Sequence, residues 1–137
     1  MPDNSKQESM VLITNKNGRL DFEINQQATE NICAGIVISD LYGYISDVND
    51  RLVEIFGAKD KSEFVGKHLL EFLVKEEKAR VFQNSLALIL LNNQKITGQY
   101  KVHLKSGEVT TLEVTTTLMK DKDGQSVGFI DFVKKVN

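Results

Sequence analysis

The last third of the chain alternates apolar and polar residues in three segments that short turns connect. The segments are 97-TGQYKVHLKS-106, 109-VTTLEVTTTLMK-120 and 126-SVGFIDFVKKV-136, with Gly107 and Gly124 in the turns between them. A period of two is typical of β-strands with one covered face. Strands joined by turns this short must pair antiparallel, because parallel neighbours need a long crossover connection. The C-terminal third is therefore predicted to be an antiparallel meander.

The same alternation assigns side chains to the two faces of the sheet. The covered face is predicted to carry Tyr100, Val102, Leu104, Leu112, Val114, Thr116 and Leu118. In the last segment a charged residue interrupts the apolar ones, and charged side chains are rarely buried. With Asp131 pointing outward, Ile130 and Phe132 face inward. Phe129 and Val133 then lie on the outer face.

A second hairpin is predicted in the stretch 39-SDLYGYISDVND-50. Gly43 supplies the positive φ that tight turns need, and Asp40 can accept bonds from backbone N–H groups two residues on. Asn49 then precedes a short apolar pattern of helical period that Gly57 closes. This order indicates an Asn N-cap, a short helix and a Gly C-cap.

Helical patterns fill the region between this hairpin and the meander. Two short pieces, 60-DKSEF-64 and 68-HLLEFL-73, come first, and the former has a capping-box-like start. A longer helix is predicted from about Lys75 to Leu91. Its apolar face is expected to carry Val81, Phe82, Leu86, Ile89 and Leu90.

The N-terminal part divides into a polar leader and a hairpin signal. Residues 1–9 are polar, and 15-NKNG-18 lies between two apolar-rich segments within 10–24. Asn-Gly is a favoured hairpin turn, although an extended helical lead-in over 10–24 is the alternative. In 24-INQQATENICAGI-36 apolar residues four apart predict a helix with one apolar stripe that ends near Gly35. The stripe consists of Ile24, Ala28 and Ile32.

Composition excludes several classes of function. The 137 residues include 17 basic and 19 acidic ones, so the net charge of −2 gives no electrostatic case for binding nucleic acid or an anionic membrane. The longest apolar run, 86-LALILL-91, is far shorter than the ~20 residues that a membrane-spanning helix requires. No secretory leader is apparent, and the single Cys33 suits a reducing compartment, so a cytoplasmic location is expected.

Together the elements predict an α+β domain with a five-stranded antiparallel sheet and helices on one face. From about Ile32 to Val133 the chain resembles a PAS domain, the small sensor module of signalling proteins such as histidine kinases. The pieces that carry the resemblance are 35-GIVISDLYGYISDVND-50, 55-IFG-57, 65-VGK-67, 106-SGE-108 and 121-DKDGQSVGF-129.

The resemblance implies the sheet order 2-1-5-4-3 and a pocket between the sheet and the helices. It also implies frequent homodimerisation through a helix on the N-terminal side, where 24-INQQATENI-32 lies. The corresponding division is residues 1–31 as leader, hairpin and flanking helix, and residues 32–137 as the PAS domain. The Asp-Ile-Thr-like triplet that often precedes an effector domain is replaced by 131-DFVKKVN-137. We expect either that the chain was cut from a larger protein or that it stands alone and signals by association.

Cofactor use in the family depends on particular residues. Flavin-binding light sensors of the LOV type use a Gly-Arg-Asn-Cys run, and the matching run 66-GKHL-69 places Leu69 where the reactive cysteine would be. A well-known haem-binding type uses a His on the long helix, and this helix has none. His68 is interpreted as a capping or rim residue and His103 as a solvated one. No flavin, haem or metal is therefore predicted, and no motif indicates an enzyme.

Two hypotheses for function remain. The first is a sensor pocket for a small, largely apolar ligand, with side chains that simply fill the core as the alternative. Its lining would be Ile36, Ile38, Asn49, Phe56, Phe64, His68, Leu69, Phe72, Phe82, Leu86, Tyr100, Val102, Leu112, Val114 and Thr116. The second is a ligand-free dimerisation or partner-docking module. Its interface would be Ile24, Ala28, Ile32, Met119, Phe129 and Val133.

Overall fold

The structure is a computed structural model that describes residues 10–91 and 95–136. The predicted polar leader over residues 1–9 lies outside the described residues.

The first described element is the hairpin predicted around 15-NKNG-18. Strand β1 (Val11–Lys16) pairs antiparallel with β2 (Arg19–Ile24). Asn17 and Gly18 both have positive φ, at 54° and 82°, which is the backbone conformation that a two-residue hairpin turn of type I′ requires. The alternative of a helical lead-in over 10–24 is therefore wrong.

Five further strands form the main sheet. They are β3 (Gly35–Asp40), β4 (Ile45–Val48), β5 (Lys95–His103), β6 (Val109–Lys120) and β7 (Ser126–Lys135). Their order is β4-β3-β7-β6-β5, and every neighbouring pair is antiparallel. Counted from β3, this is the predicted order 2-1-5-4-3, so the fold-class prediction is confirmed.

The helical elements are short except for one. The helices are α1 (Gln26–Thr29), α2 (Asp50–Phe56) and α3 (Lys78–Leu90). Three 3₁₀ turns lie between α2 and α3, at Lys61–Glu63, Leu69–Phe72 and Lys75–Glu77. The helix predicted over 24–36 is wrong, because only the four residues of α1 are helical there. Ile24 instead ends β2, where it pairs with Val11, and this pairing removes it from any helical stripe.

The main sheet is covered on both faces. On one face the α2 and 3₁₀ segments and α3 pack against the sheet, and Val37 and Val133 point to this side. On the other face Ile36, Ile38 and Ile130 form a core with the N-terminal hairpin. Val11, Phe22 and Ile24 are the buried hairpin residues of that core.

This double coverage corrects the predicted facing of one strand of the meander, β7. The facing of β5 and β6 is confirmed, because Tyr100, Val102 and Leu112 lie on the helical side. In β7 the prediction is wrong: Phe129, Asp131 and Val133 face the helices. Ile130 and Phe132 face the hairpin. The hairpin covers the second face with apolar side chains. The charge of Asp131 therefore does not indicate which face of β7 meets solvent.

Asn49 connects α2 to the start of β3 through three hydrogen bonds. Its Oδ1 accepts from the backbone N–H of Leu52 at 3.0 Å, as predicted for an N-cap, and from that of Ile36 at 2.8 Å. Its Nδ2 donates to the carbonyl oxygen of Ala34 at 3.1 Å. Gly57 ends the helix with a φ of 69°, which confirms the predicted C-cap.

Asp47 fixes the hairpin to the main sheet. Its Oδ2 accepts from the backbone N–H of Ile24 at 2.8 Å, and its Oδ1 accepts from Val48 at 2.9 Å and lies 3.3 Å from the ammonium of Lys61. The buried carboxylate is thus satisfied by the two elements it joins, as buried polar groups generally are.

Replacing Asn49 tests the importance of this connection. We expect Asn49→Ala to lower the free energy of unfolding by about 2–4 kcal/mol, since a cap is lost and buried backbone groups lose their partners. Asp60→Ala is a matched control, because Asp60 caps an exposed 3₁₀ turn and its loss should lower the stability much less. Urea unfolding followed by circular dichroism measures both, and equal losses would contradict the role given to Asn49.

Candidate functional site

A cavity of about 90 Å³ lies between the main sheet and the helical layer. Every strand of the main sheet contributes to it, together with α2, the 3₁₀ segment and α3. Its lining is Val37, Ile45, Leu52, Phe56, Phe64, Leu69, Phe72, Leu73, Val81, Asn84, Ser85, Leu88, Ile96, Tyr100, Val102, Leu112, Val114, Thr116, Asp131 and Val133. The walls are mostly apolar with a few polar groups, which is the usual composition of a small-molecule site.

Three aromatic rings form one end of the cavity. Phe64 and Phe72 stack with ring centroids 5.1 Å apart, and Phe56 contacts both rings edge-on. Aromatic pairs in these geometries add to the stability that burial alone gives. This end of the cavity is therefore a preformed apolar wall.

The N-terminal end of α3 is attached to β5 through Glu77 and Arg80. The Glu77 carboxylate accepts hydrogen bonds from the Arg80 guanidinium and from the backbone N–H of Lys101, both at 2.8 Å. The Arg80 hydrogen bond is the main reason that the pKa of Glu77 lies below its ordinary value. The Arg80 guanidinium also lies 4.3 Å from the ring centroid of Tyr100, a cation–π contact.

Tyr100 lines the cavity and also bonds to α3. Its hydroxyl accepts a hydrogen bond from Asn84 Nδ2 on α3 at 2.7 Å. The phenol lies over Gly98 of the same strand, where an added Cβ would be 2.7 Å from the hydroxyl oxygen. Gly98 therefore leaves the space that lets Tyr100 reach α3.

Asp131 lies at the centre of the sheet wall. It pairs with Val37 of β3 and with Thr116 of β6, and Thr116 pairs in turn with Ile96 of β5, so these four cavity residues form one row across the sheet. Asp131 is only 8% exposed. The Thr116 hydroxyl hydrogen-bonds its carboxyl group, but Oδ1 has no hydrogen-bond partner among the described residues.

Burial makes this carboxyl group unusual in its titration. Removal from water disfavours the charged form and raises the pKa of Asp131 to about 6, although the hydrogen bond from Thr116 opposes the rise. The pKa of this carboxyl group lies nearer to neutral pH than usual, and the group lines a cavity. Both properties are typical of functional positions.

Nine of the fifteen predicted pocket residues line the cavity. They are Phe56, Phe64, Leu69, Phe72, Tyr100, Val102, Leu112, Val114 and Thr116. Ile36 and Ile38 do not, because they point to the hairpin side of the sheet. Asn49 is also outside the lining, since both of its side-chain polar atoms are bonded to backbone groups at the start of α2 and β3.

His68 has a capping role rather than a place in the cavity wall. Its Nδ1 accepts from the backbone N–H of Leu70 at 3.1 Å, and its Nε2 lies 2.7 Å from the carbonyl oxygen of Tyr42. The ring must therefore carry its proton on Nε2. Its edge packs against Tyr44, and a Cβ on Gly43 would be 2.7 Å from Nε2. His103 is exposed on β5, as predicted.

The face of α3 that meets the cavity agrees with the predicted one only in part: Val81 lines the cavity, and Ile89 packs against the adjoining core of Leu88, Leu118 and Phe129. The cavity face carries Val81, Asn84, Ser85 and Leu88, whose spacing is i, i+3, i+4 and i+7. Phe82 and Leu90 are 58% and 75% exposed, and Leu86 is also exposed. The prediction chose the more apolar face, whereas two polar residues lie on the buried one.

A signal for the missed residues is present in the sequence. Asp131 is a single charge within 129-FIDFV-133, and an apolar run without alternation is typical of a strand covered on both faces. Asn84 and Ser85 lie between Val81 and Leu88 at helical spacing. This spacing is also consistent with a buried helix face that includes two polar residues.

The residues predicted for a dimer interface lie in different surroundings. Ile24 and Met119 are buried in the core between the hairpin and the main sheet, and Phe129 and Val133 are buried on the helical side. Ala28 is exposed, and Ile32 is half-buried beside the hairpin core. These six side chains therefore do not form one surface.

Within residues 10–91 and 95–136 no group of three His, Cys, Asp or Glu side chains is arranged to hold a metal ion. None of the helices in the same ranges has the length and apolar character needed to cross a membrane. Cys33 is exposed and unpaired with another cysteine in the described part of the chain.

Solved structures resemble this arrangement at low sequence identity. A PAS domain from Colwellia psychrerythraea superposes with a TM-score of 0.72 at 21% identity, over 80% of this chain and 92% of that one. The PAS domain of an HTR-like protein from Haloarcula marismortui gives 0.67 at 18% identity, over 81% and 88%. Drosophila melanogaster Cycle PAS-B with bound ethylene glycol gives 0.66 at 15% identity, over 74% and 99%.

The sheet order and the cavity beneath the helices define a small α+β domain of the kind seen in these solved structures. The family model described as the PAS fold matches residues 45–133, which is most of the chain. The chain belongs to the PAS fold family, a class of signal-sensing modules, as its sequence motifs predicted. No curated protein sequence matches it.

The burial of Asp131 predicts a specific pH dependence of stability. The folded protein favours the neutral carboxyl group. The stability that this group contributes to folding is therefore fully present below the ordinary pKa of 3.8 and is lost as the pH rises to about 6. This difference corresponds to roughly 3 kcal/mol. Between pH 4 and pH 7.5 the free energy of unfolding of wild type should therefore fall by about 2–3 kcal/mol relative to that of Asp131→Asn.

Asp123→Asn is the control, because it removes a carboxylate from an exposed turn. Urea unfolding at several pH values provides the comparison. Wild type and Asp131→Asn with parallel pH profiles would show that the carboxyl group is solvated.

Proposed function

We propose that this PAS domain receives a signal by binding a small, mostly apolar molecule in the cavity between the sheet and α3. The observation that carries the proposal is the preformed, largely apolar cavity with Asn84, Tyr100, Thr116 and Asp131 as its polar groups. The domain would serve a cytoplasmic signal-transduction protein, a histidine kinase or a related regulator, through an effector domain or a partner protein.

The size of the cavity limits the ligand. A cavity needs roughly 10–15 Å³ to hold one water molecule, and drug-sized ligands occupy roughly 300–1,000 Å³. A volume of about 90 Å³ therefore fits a molecule of a few non-hydrogen atoms without rearrangement. The Cycle PAS-B structure, which has ethylene glycol bound, supports a ligand of this size in a related fold.

Binding can be read out through α3. The ligand would contact α3 at Asn84 and Ser85, and the hydrogen bond from Asn84 to Tyr100 couples α3 to β5. A ligand that favours one position of α3 would shift the population towards that position. The exposed face of the same helix would then present the change to an effector or partner.

Filling the cavity tests the sensor proposal. Ser85→Leu adds apolar volume at the cavity wall, and Gln83→Leu makes the same kind of change on the exposed side of α3. With 1-butanol as probe, we expect saturable shifts of the Val37, Leu88 and Val114 methyl signals in NMR spectra. Ser85→Leu should weaken the apparent affinity at least tenfold, whereas Gln83→Leu should leave it unchanged. Equal affinities for the two variants would contradict binding in this cavity.

A second candidate function is homodimerisation or partner docking without a ligand. The observation in its favour is the exposed apolar stripe on α3 formed by Phe82, Leu86 and Leu90. Apolar side chains clustered on one exposed helix face often mark an interaction site. This stripe replaces the predicted interface, whose residues are mostly buried within the chain itself.

Charge placed on this stripe should separate dimerisation from folding. For Phe82→Glu combined with Leu90→Glu, we expect a monomer whose circular dichroism matches that of a dimeric wild type. Leu12→Glu is the control, because it changes an exposed apolar residue on the hairpin instead. Light scattering after size exclusion measures the mass, and a double variant that remains dimeric would contradict docking through α3.

A further inference from the structure

Asp131 is the buried polar group in the cavity whose bonding is incomplete. The buried Asn49 and Asp47 side chains each have two or more hydrogen bonds to the protein. Asp131, more than nine-tenths buried, is hydrogen-bonded by Thr116, and its Oδ1 has no partner in the described residues. A buried oxygen without a partner is costly, and such groups are rare in folded proteins.

The surroundings define what can complete this bonding. The neighbours of Asp131 across the sheet on the cavity side are Val37 and Thr116, and the side chain lines the cavity. Among the described residues that line the cavity, Asp131 is the one with a charged side chain. Val37 offers no polar side-chain group, so these strand neighbours leave Oδ1 without a partner in a residue that lines the cavity.

We propose that Asp131 Oδ1 accepts a hydrogen bond from the ligand, which would be a short apolar molecule with a hydroxyl or ammonium group. The apolar part packs against the wall that contains Phe64 and Phe72, and the donor group reaches the sheet. This inference rests on the proposed sensor function and specifies the chemistry of its ligand. A molecule of the same size with acceptors alone leaves Oδ1 unpaired, and the site therefore selects against it.

Matched probes test the requirement for a donor. 1-Butanol and methyl propyl ether have the same formula, but only the alcohol donates a hydrogen bond; n-butylammonium adds a positive charge. Affinities are measured by methyl NMR titration of the full chain at pH 7.5. We expect 1-butanol, n-butylammonium or both to bind wild type at least tenfold more tightly than the ether, a factor equal to 1.4 kcal/mol.

Two substitutions at Asp131 locate the origin of this preference. Asp131→Leu removes the acceptor at similar volume and should reduce the preference for a donor to less than twofold. Asp131→Asn keeps an acceptor oxygen without charge, so it should retain binding of 1-butanol but lose any advantage of n-butylammonium over the alcohol. This variant also keeps the test decisive if Asp131→Leu does not fold, and Asp123→Asn controls for loss of an exposed charge.

The outcomes distinguish this inference from the sensor proposal. If the ether binds wild type as tightly as both donor probes, the cavity binds small molecules but Asp131 does not select them, and the inference fails alone. The inference fails in the same way if the preference persists in Asp131→Leu. If none of the three probes shifts the cavity methyl signals, both the inference and the sensor proposal fail.

Discussion

The two central strands, β3 and β7, have apolar cover on both faces, and the placement of the other elements follows from this. The helical layer covers one face of the sheet, and the N-terminal hairpin covers the other. Buried side chains therefore alternate between two separate cores along each strand. Because β7 is central, the one charged residue within its apolar run has no solvent-facing position, and Asp131 lines the cavity instead.

The same constraint separates what the sequence predicted from what it did not. Strands β5 and β6 lie towards one edge and alternate clearly, so Tyr100, Val102 and Leu112 were placed on the correct face. In β3 and β7 both faces are apolar, and alternation then carries no information about which face is which. Because charged side chains usually face solvent, Asp131 was predicted to point outward, and the two faces of β7 were therefore exchanged in the prediction.

Helix α3 shows the corresponding limit for helices. Its cavity face includes Asn84 and Ser85, and its exposed face includes Phe82 and Leu90, so the more apolar face is not the buried one. The hydrophobicity of a helix face predicts its burial only where its residues have no other role than packing. By contrast, the turn and cap signals at Asn49 and Gly57 were read correctly, because they depend on local backbone geometry.

The structure buries the Asp131 carboxyl group in the cavity wall, and the titration of this group is the most direct test of that placement. Carbon-13 NMR of the aspartate carboxyl groups, with Asp131 assigned by comparison with Asp131→Asn, reports the titration midpoint of this single side chain. We expect a midpoint of about 6. A midpoint near the ordinary value of 3.8 would show that the group is in contact with water and that this placement is wrong.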